Sequence, residues 1–190
     1  MTRAFFTSQE SVEKELVRLI EQSHVSIDLA LFRFDSRPLA AAVNRAQERG
    51  VRIRLILDGH AEAQRTSDGQ APQLPAVDVR RLEGRHGGAH GVMHNKFAVF
   101  DGARVATGSY NWTPGAEYAN YENMLLTDEA DTVRSYTAEF ERLWAHAVPY
   151  PSTEPKGRQK PPSRSRKKSY RHPTRKSVRI RVLRLVPPKM

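Results

Sequence analysis

His94 and Lys96 stand two positions apart in the run His94-Asn95-Lys96-Phe97-Ala98-Val99-Phe100-Asp101. Side chains alternate along a strand, so an extended backbone here turns both residues toward one face. An imidazole and an ammonium over one pocket suit phosphoryl chemistry. The lysine neutralises a phosphate oxygen while the histidine attacks phosphorus or donates a proton. Gly87, Gly88 and Gly91 on the approach leave the mouth of such a pocket open to a bulky substrate. Taken alone, an H-x-K-x4-D triplet is weak: it arises by chance in about one chain per hundred of this length. By itself it reads more readily as a half-buried histidine beside a surface lysine.

Two further segments change the odds. In Thr107-Gly108-Ser109-Tyr110-Asn111, a hydroxyl and an amide stand two apart. They can hold phosphate oxygens without adding charge, although the composition alone would read as a turn. Glu122-Asn123 leads into the apolar run Met124-Leu125-Leu126. A carboxylate entering an apolar strand needs a partner, and an imidazole N–H is a suitable one because the bond fixes the tautomer and favours the cation. The bland alternative is a strand-edge glutamate facing water.

Together, His94-x-Lys96-x4-Asp101, Gly108-Ser109-x-Asn111 and Glu122-Asn123 resemble the motif set of the phospholipase D superfamily. The likeness is to its small single-motif branch of bacterial endonucleases and mitochondrial cardiolipin-hydrolase-like proteins, and it covers residues 1–148. The resemblance implies a catalytic group of His94, Lys96, Asp101 and Glu122, with Lys96, Ser109 and Asn111 binding the phosphoryl group. His94 would form a phosphohistidine, Glu122 would orient it, and the second subunit's copy of His94 would serve the leaving oxygen. The implied active unit is a homodimer with a shared active site, without cofactor or metal. Asp101 lies five residues past Lys96 at a strand end and is expected to hold the turn rather than touch substrate.

Other chemistry is less favoured. His86, His90 and His94 have the spacing of a helical metal site, but the four glycines between 84 and 91 argue against a helix. Tyr110, Trp112, Tyr118 and Tyr121 surround the site in sequence and are candidates for stacking bases or contacting lipid. Aromatic residues are more often simply packed. With no cysteine, neither disulfides nor thiolate chemistry is available.

The elements that must position these residues read as an α/β fold with a mixed β-sheet sandwiched between helices. A short strand at 4–6 precedes a helix capped by Thr7 or Ser8 and running to about Ser23. Val25, Ile27, Leu29 and Leu31 line one face of a strand. Ser36 and Pro38 open a second helix that Gly50 closes. Val51 to Leu57 alternates until Asp58-Gly59, residues 60–76 read as a surface loop, and 77–82 as a strand. A hairpin of strands at 92–100 and 104–108 turns through Asp101-Gly102. A strand at 123–127 and a helix from Glu129 to His146 complete the domain.

Charge divides the chain in two. Residues 1–150 hold 17 Lys and Arg against 20 Asp and Glu, a net −3. Residues 151–190 hold 14 Lys and Arg against Glu154 alone, a net +13. The Pro/Ser/Lys/Arg-rich stretch 149–190 is therefore expected to be a solvated tail without a packed core. Its charge suits a phosphate backbone, which makes nucleic acid the expected partner and a nuclease the leading activity. An anionic membrane surface, with a cardiolipin-type phospholipid as substrate, is the alternative. An idle nucleic-acid-binding protein is a third reading, against which the intact motif set counts. The first residues lack a basic segment followed by an apolar one, and no apolar run approaches the roughly 20 residues that span a bilayer. A cytoplasmic location is the resulting expectation. Truncation after Pro149 should raise KM for long nucleic acid and flatten its salt dependence, with kcat little changed. Slower turnover of a short phosphodiester by the truncated chain would place the tail in the site instead.

Overall fold

The structure, a computed structural model, describes residues 1–61, 77–85 and 91–150. The expected surface loop after residue 61, the histidines at 86 and 90, and the basic tail from 151 lie outside the described residues. Strands β1 (Thr2–Phe6), β2 (Ser26–Leu31), β3 (Arg52–Asp58), β4 (Asp78–Leu82), β5 (Lys96–Phe100), β6 (Arg104–Gly108), β7 (Asn123–Thr127) and β8 (Val148–Pro149) form one sheet. Their order is β1-β7-β6-β5-β2-β3-β4-β8. β2–β3 and β3–β4 pair in parallel and the other pairs are antiparallel. This is the expected mixed sheet.

Helices α1 (Val12–Glu21) and α2 (Arg37–Glu48) pack on one face. There Leu16, Leu19 and Val43 meet Ile27, Leu29, Leu55 and Phe100. After β6 come a single turn α3 (Pro114–Tyr118) and the long α4 (Ala130–His146). α4 covers the opposite face, where Val133, Phe140 and Trp144 meet Ala30, Ile56, Phe97 and Val99. β2 is buried along its whole length because both of its faces are covered.

Several boundaries differ from the sequence reading. The first helix is capped by Ser11, whose hydroxyl accepts from the Lys14 amide at 3.1 Å. Thr7 instead donates its hydroxyl to the Asn120 carbonyl and accepts from the Glu122 amide. The strand expected from 92 begins only at Lys96, preceded by a single bridge between Glu83 and Val92. α3 was not anticipated: Thr113-Pro114 is a capping signal, but one turn leaves no periodic pattern to read.

A buried ion pair joins β2 to β3, and its arginine also reaches an exposed carboxylate on α4. Arg54 donates to both oxygens of Asp28, at 2.8 and 2.9 Å, and reaches Glu141 of α4 at 2.6 Å. Its guanidinium also lies over the rings of Phe140 and Trp144. Removing one partner of such a pair strands the other charge away from water. Arg54→Ala should therefore cost about 3–5 kcal/mol of unfolding free energy in a urea titration. A loss below about 1 kcal/mol, as for an exposed pair, would show that water reaches Asp28.

Candidate active site

The site lies where β5 begins. Lys96 pairs with Leu31 of β2 and shares the α1/α2 face with Ala98 and Phe100. His94 sits two residues earlier, outside the ladder. Its ring packs against Phe32 at a centroid distance of 4.8 Å, and the Lys96 ammonium lies 5.0 Å from the same ring. Lys96 Nζ also donates to the His94 carbonyl at 2.8 Å. Both candidate residues thus meet on Phe32. That residue was missed in the sequence because nothing in its local pattern reveals which strand will pair beside it.

A void of about 10 Å³ lies between Lys96 and the segment containing Gly108, Tyr110 and Trp112. Tyr110 turns inward and donates to Glu117 of α3 at 2.9 Å; Ser109 is exposed and Asn111 half-buried. Gly108 is required by close approach, since a Cβ there would come within 2.2 Å of the Asn123 carbonyl. The Asn111 amide oxygen is buried and accepts no hydrogen bond from a described residue.

Two of the expected residues can be set against the contacts of the single chain. Glu122 accepts a short hydrogen bond from the Ser109 hydroxyl and another from Asn120 Nδ2 at 3.1 Å. No hydrogen bond joins it to His94 among the described residues. The reason is sheet order. Glu122 leads β7, which neighbours β6, while His94 precedes β5 on the far side of β6. Two strand spacings are about 10 Å. Ser109 in turn has given its one proton to Glu122, so its hydroxyl must rotate before it can donate to a phosphate. Asp101 lies away from His94 and Lys96. It sits at the opposite end of β5 at φ +54, and its carboxylate accepts the backbone N–H groups of His24, Val25 and Ser26. Burial would raise its pKa, but those three donors outweigh it and hold the carboxyl below its usual range. Of the aromatic candidates, Tyr110 and Trp112 are packed in the core, whereas Tyr118 and Tyr121 are exposed.

On the α4 side of His94 a groove of about 720 Å³ opens, lined by Glu83, Arg85, Asn95, Arg142 and His146 among others. The chemistry available is that of a nucleophile or proton carrier in His94, with a fixed cation beside it. Burial depresses the Lys96 pKa below the usual lysine value, opposed by the negative charge of Glu122.

A mixed sheet with two helices on one face and one long helix on the other, and with these groups at one end, defines a phospholipase D-like α/β domain. The sequence agrees: residues 16–144 match the family described as "Cardiolipin synthase, PLD-like domain", and the chain belongs to that family. It is 41% identical over 140 residues to a mitochondrial cardiolipin hydrolase of Xenopus tropicalis, covering 74% of this chain and 64% of that protein. The mitochondrial cardiolipin hydrolase of Homo sapiens is 37% identical over 140 residues, 74% of this chain and 54% of the human protein. The chain thus spans less than two thirds of the length of these curated relatives. Among solved structures, Nuc from Salmonella typhimurium, a phospholipase D family member, superposes with a TM-score of 0.70 at 21% identity. The match covers 80% of this chain and 99% of Nuc. The expectation of a cytoplasmic location is overturned here, because the curated relatives are mitochondrial by name. That expectation rested on the lack of a basic segment followed by an apolar one in the first residues, which does not decide where a protein resides.

Because Glu122 favours the charged form of Lys96, Glu122→Gln should lower the Lys96 pKa further. NMR titration of the Lys96 side chain should show a midpoint below about 10.4 in the wild type, and lower still in the variant. An unchanged midpoint would mean that solvent screens Glu122 from Lys96.

Proposed function

We propose that this protein is a metal-independent phosphodiesterase working through a phosphohistidine, with nucleic acid as substrate. The observation that carries the reading is the packing of His94 and Lys96 side by side on Phe32, at the edge of an open groove. In the first step a nitrogen of His94 attacks phosphorus, and the P–N bond forms as the P–O ester bond breaks. The leaving oxygen takes a proton from the partner subunit's His94. That imidazole, now neutral, then removes a proton from water, which attacks phosphorus and releases the first histidine. Lys96 supplies the positive charge that offsets the crowded phosphoryl oxygens, and Asn111 completes the binding set. Glu122 acts through Ser109 and through the charge of Lys96.

Two histidines in opposite protonation states are needed, and the chain has one copy of the motif. A homodimer with an isologous interface brings His94 beside its own symmetry mate. Nucleic acid is favoured by the +13 stretch from residue 151. A second reading, hydrolysis of cardiolipin at a mitochondrial membrane, is favoured by the names of the curated relatives.

Purified protein in excess chelator should cleave single-stranded DNA or RNA in preference to cardiolipin vesicles; the reverse preference would establish the second reading. On whichever substrate is turned over, wild-type chains co-refolded with His94→Asn chains at wild-type fraction f should lose activity as f². A linear fall would show that each chain carries a complete site, and turnover only with added divalent metal would overturn the mechanism.

A further inference from the structure

Asp58 ends β3 and is fully buried, with 0% of its surface exposed. A buried carboxylate must have its oxygens satisfied, and here backbone amides do this. Oδ1 accepts from His60 and Ala61 at 3.1 and 2.8 Å, the first turn of a helical stretch entered at Gly59. Oδ2 accepts from the Met93 amide at 2.8 Å. Met93 immediately precedes His94 and is itself buried. One carboxylate therefore joins the end of β3 to the segment that carries the histidine.

That segment has little else to hold it. Among the described residues, the backbone of 91–95 is held by the bridge at Val92, the Gly84–Gly91 bond, the Asp58 contact, the Lys96 ammonium on the His94 carbonyl, and a bond from the Phe32 amide to the Asn95 carbonyl. The last two act at or beyond the His94 carbonyl, on the far side of its side chain. Of the contacts before it, that from Asp58 is adjacent and charge-assisted, and such bonds are roughly twice as strong as neutral ones. Nothing in the reaction requires Asp58 to touch substrate.

We propose that Asp58 is a positioning residue for phosphoryl transfer: through the Met93 amide it fixes the backbone of His94, and so the place of the imidazole on Phe32. The proposal rests on His94 being the reacting group. An asparagine at 58 has one oxygen to offer where the carboxylate has two. Its Nδ2 must face either Met93 or the turn at His60 and Ala61, and one tie is lost.

Asp58→Asn is therefore expected to lower kcat on a short phosphodiester by about 10–100-fold, since misplacement of about 1 Å can cost 10²-fold. KM should stay within about twofold, because Lys96 and Asn111 are untouched. Hydrogen exchange at the Met93 amide should accelerate at least about tenfold, and the NOE between the His94 and Phe32 rings should weaken. Ser23→Ala, which removes a buried hydroxyl at the opposite end of the sheet, is the control for lost stability and should keep wild-type kcat. If Asp58→Asn does not fold, replacing Met93 by its α-hydroxy analogue puts an ester where the N–H stood and should reproduce the kcat loss. Unchanged kcat with an accelerated Met93 amide, an unchanged amide, or an equal kcat loss in Ser23→Ala would each overturn the proposal. If the wild type turned over no phosphodiester, the functional reading would fail, while amide exchange and the ring NOE would still decide whether Asp58 places His94.

Discussion

The antiparallel pairing of β5 with β2 stops at Lys96 opposite Leu31, and the character of the site follows from where it stops. Within the ladder, backbone groups are committed and each side chain is assigned to a face. Beyond it, the backbone must find other partners. Lys96 is the last paired residue, so the sheet itself carries its ammonium. His94, two positions earlier, is placed instead by the amide of Met93 on Asp58, its own carbonyl on the Lys96 ammonium, the carbonyl of Asn95 on Phe32, and the ring contact with Phe32. No described residue hydrogen-bonds the imidazole nitrogens, which leaves them available to phosphorus or to a proton.

Around this pair the charges are arranged to be modest and movable. Lys96 loses some hydration by lying against Phe32, and Glu122 partly restores the preference for the cation. Glu122 and Ser109 are tied to each other by the β6–β7 pairing, and Gly108 lets Asn123 approach closely enough to keep them so. Asn111 keeps a buried amide oxygen without a donor among the described residues, a local cost in the fold. The supporting frame is built differently: Arg54 with Asp28 and Glu141, and Asp101 with three backbone amides, are pairings in which every partner is already engaged.

Net charge separates recognition from chemistry in the same way. Residues 1–150 carry −3, so the domain does not by itself attract a polyanion. On the proposed reading, the +13 of residues 151–190 would do so over a Debye length of about 10 Å at ordinary ionic strength. On that reading, a nucleic acid and a cardiolipin-rich surface would present the same phosphodiester chemistry to His94, and this charge distribution would serve either.

The amino-acid sequence alone determined the mixed α/β class, the order and near-boundaries of the main strands and helices, and the identity of the candidate residues. Those properties are local: alternation and helical periodicity record burial, Ser36-x-Pro38 and Gly50 record caps, and the three motif segments record residue types at short spacing. Which groups touch was settled by tertiary structure, because strand order has no local signal. It placed β6 between His94 and Glu122, gave the Glu122 carboxylate to Ser109, and brought the amides of His24, Val25 and Ser26 to Asp101. It also recruited Phe32 and Asp58. In sequence these are the residue after a strand and a turn-forming aspartate, and only the approach of β2 and β3 to the segment before β5 brings them to the histidine.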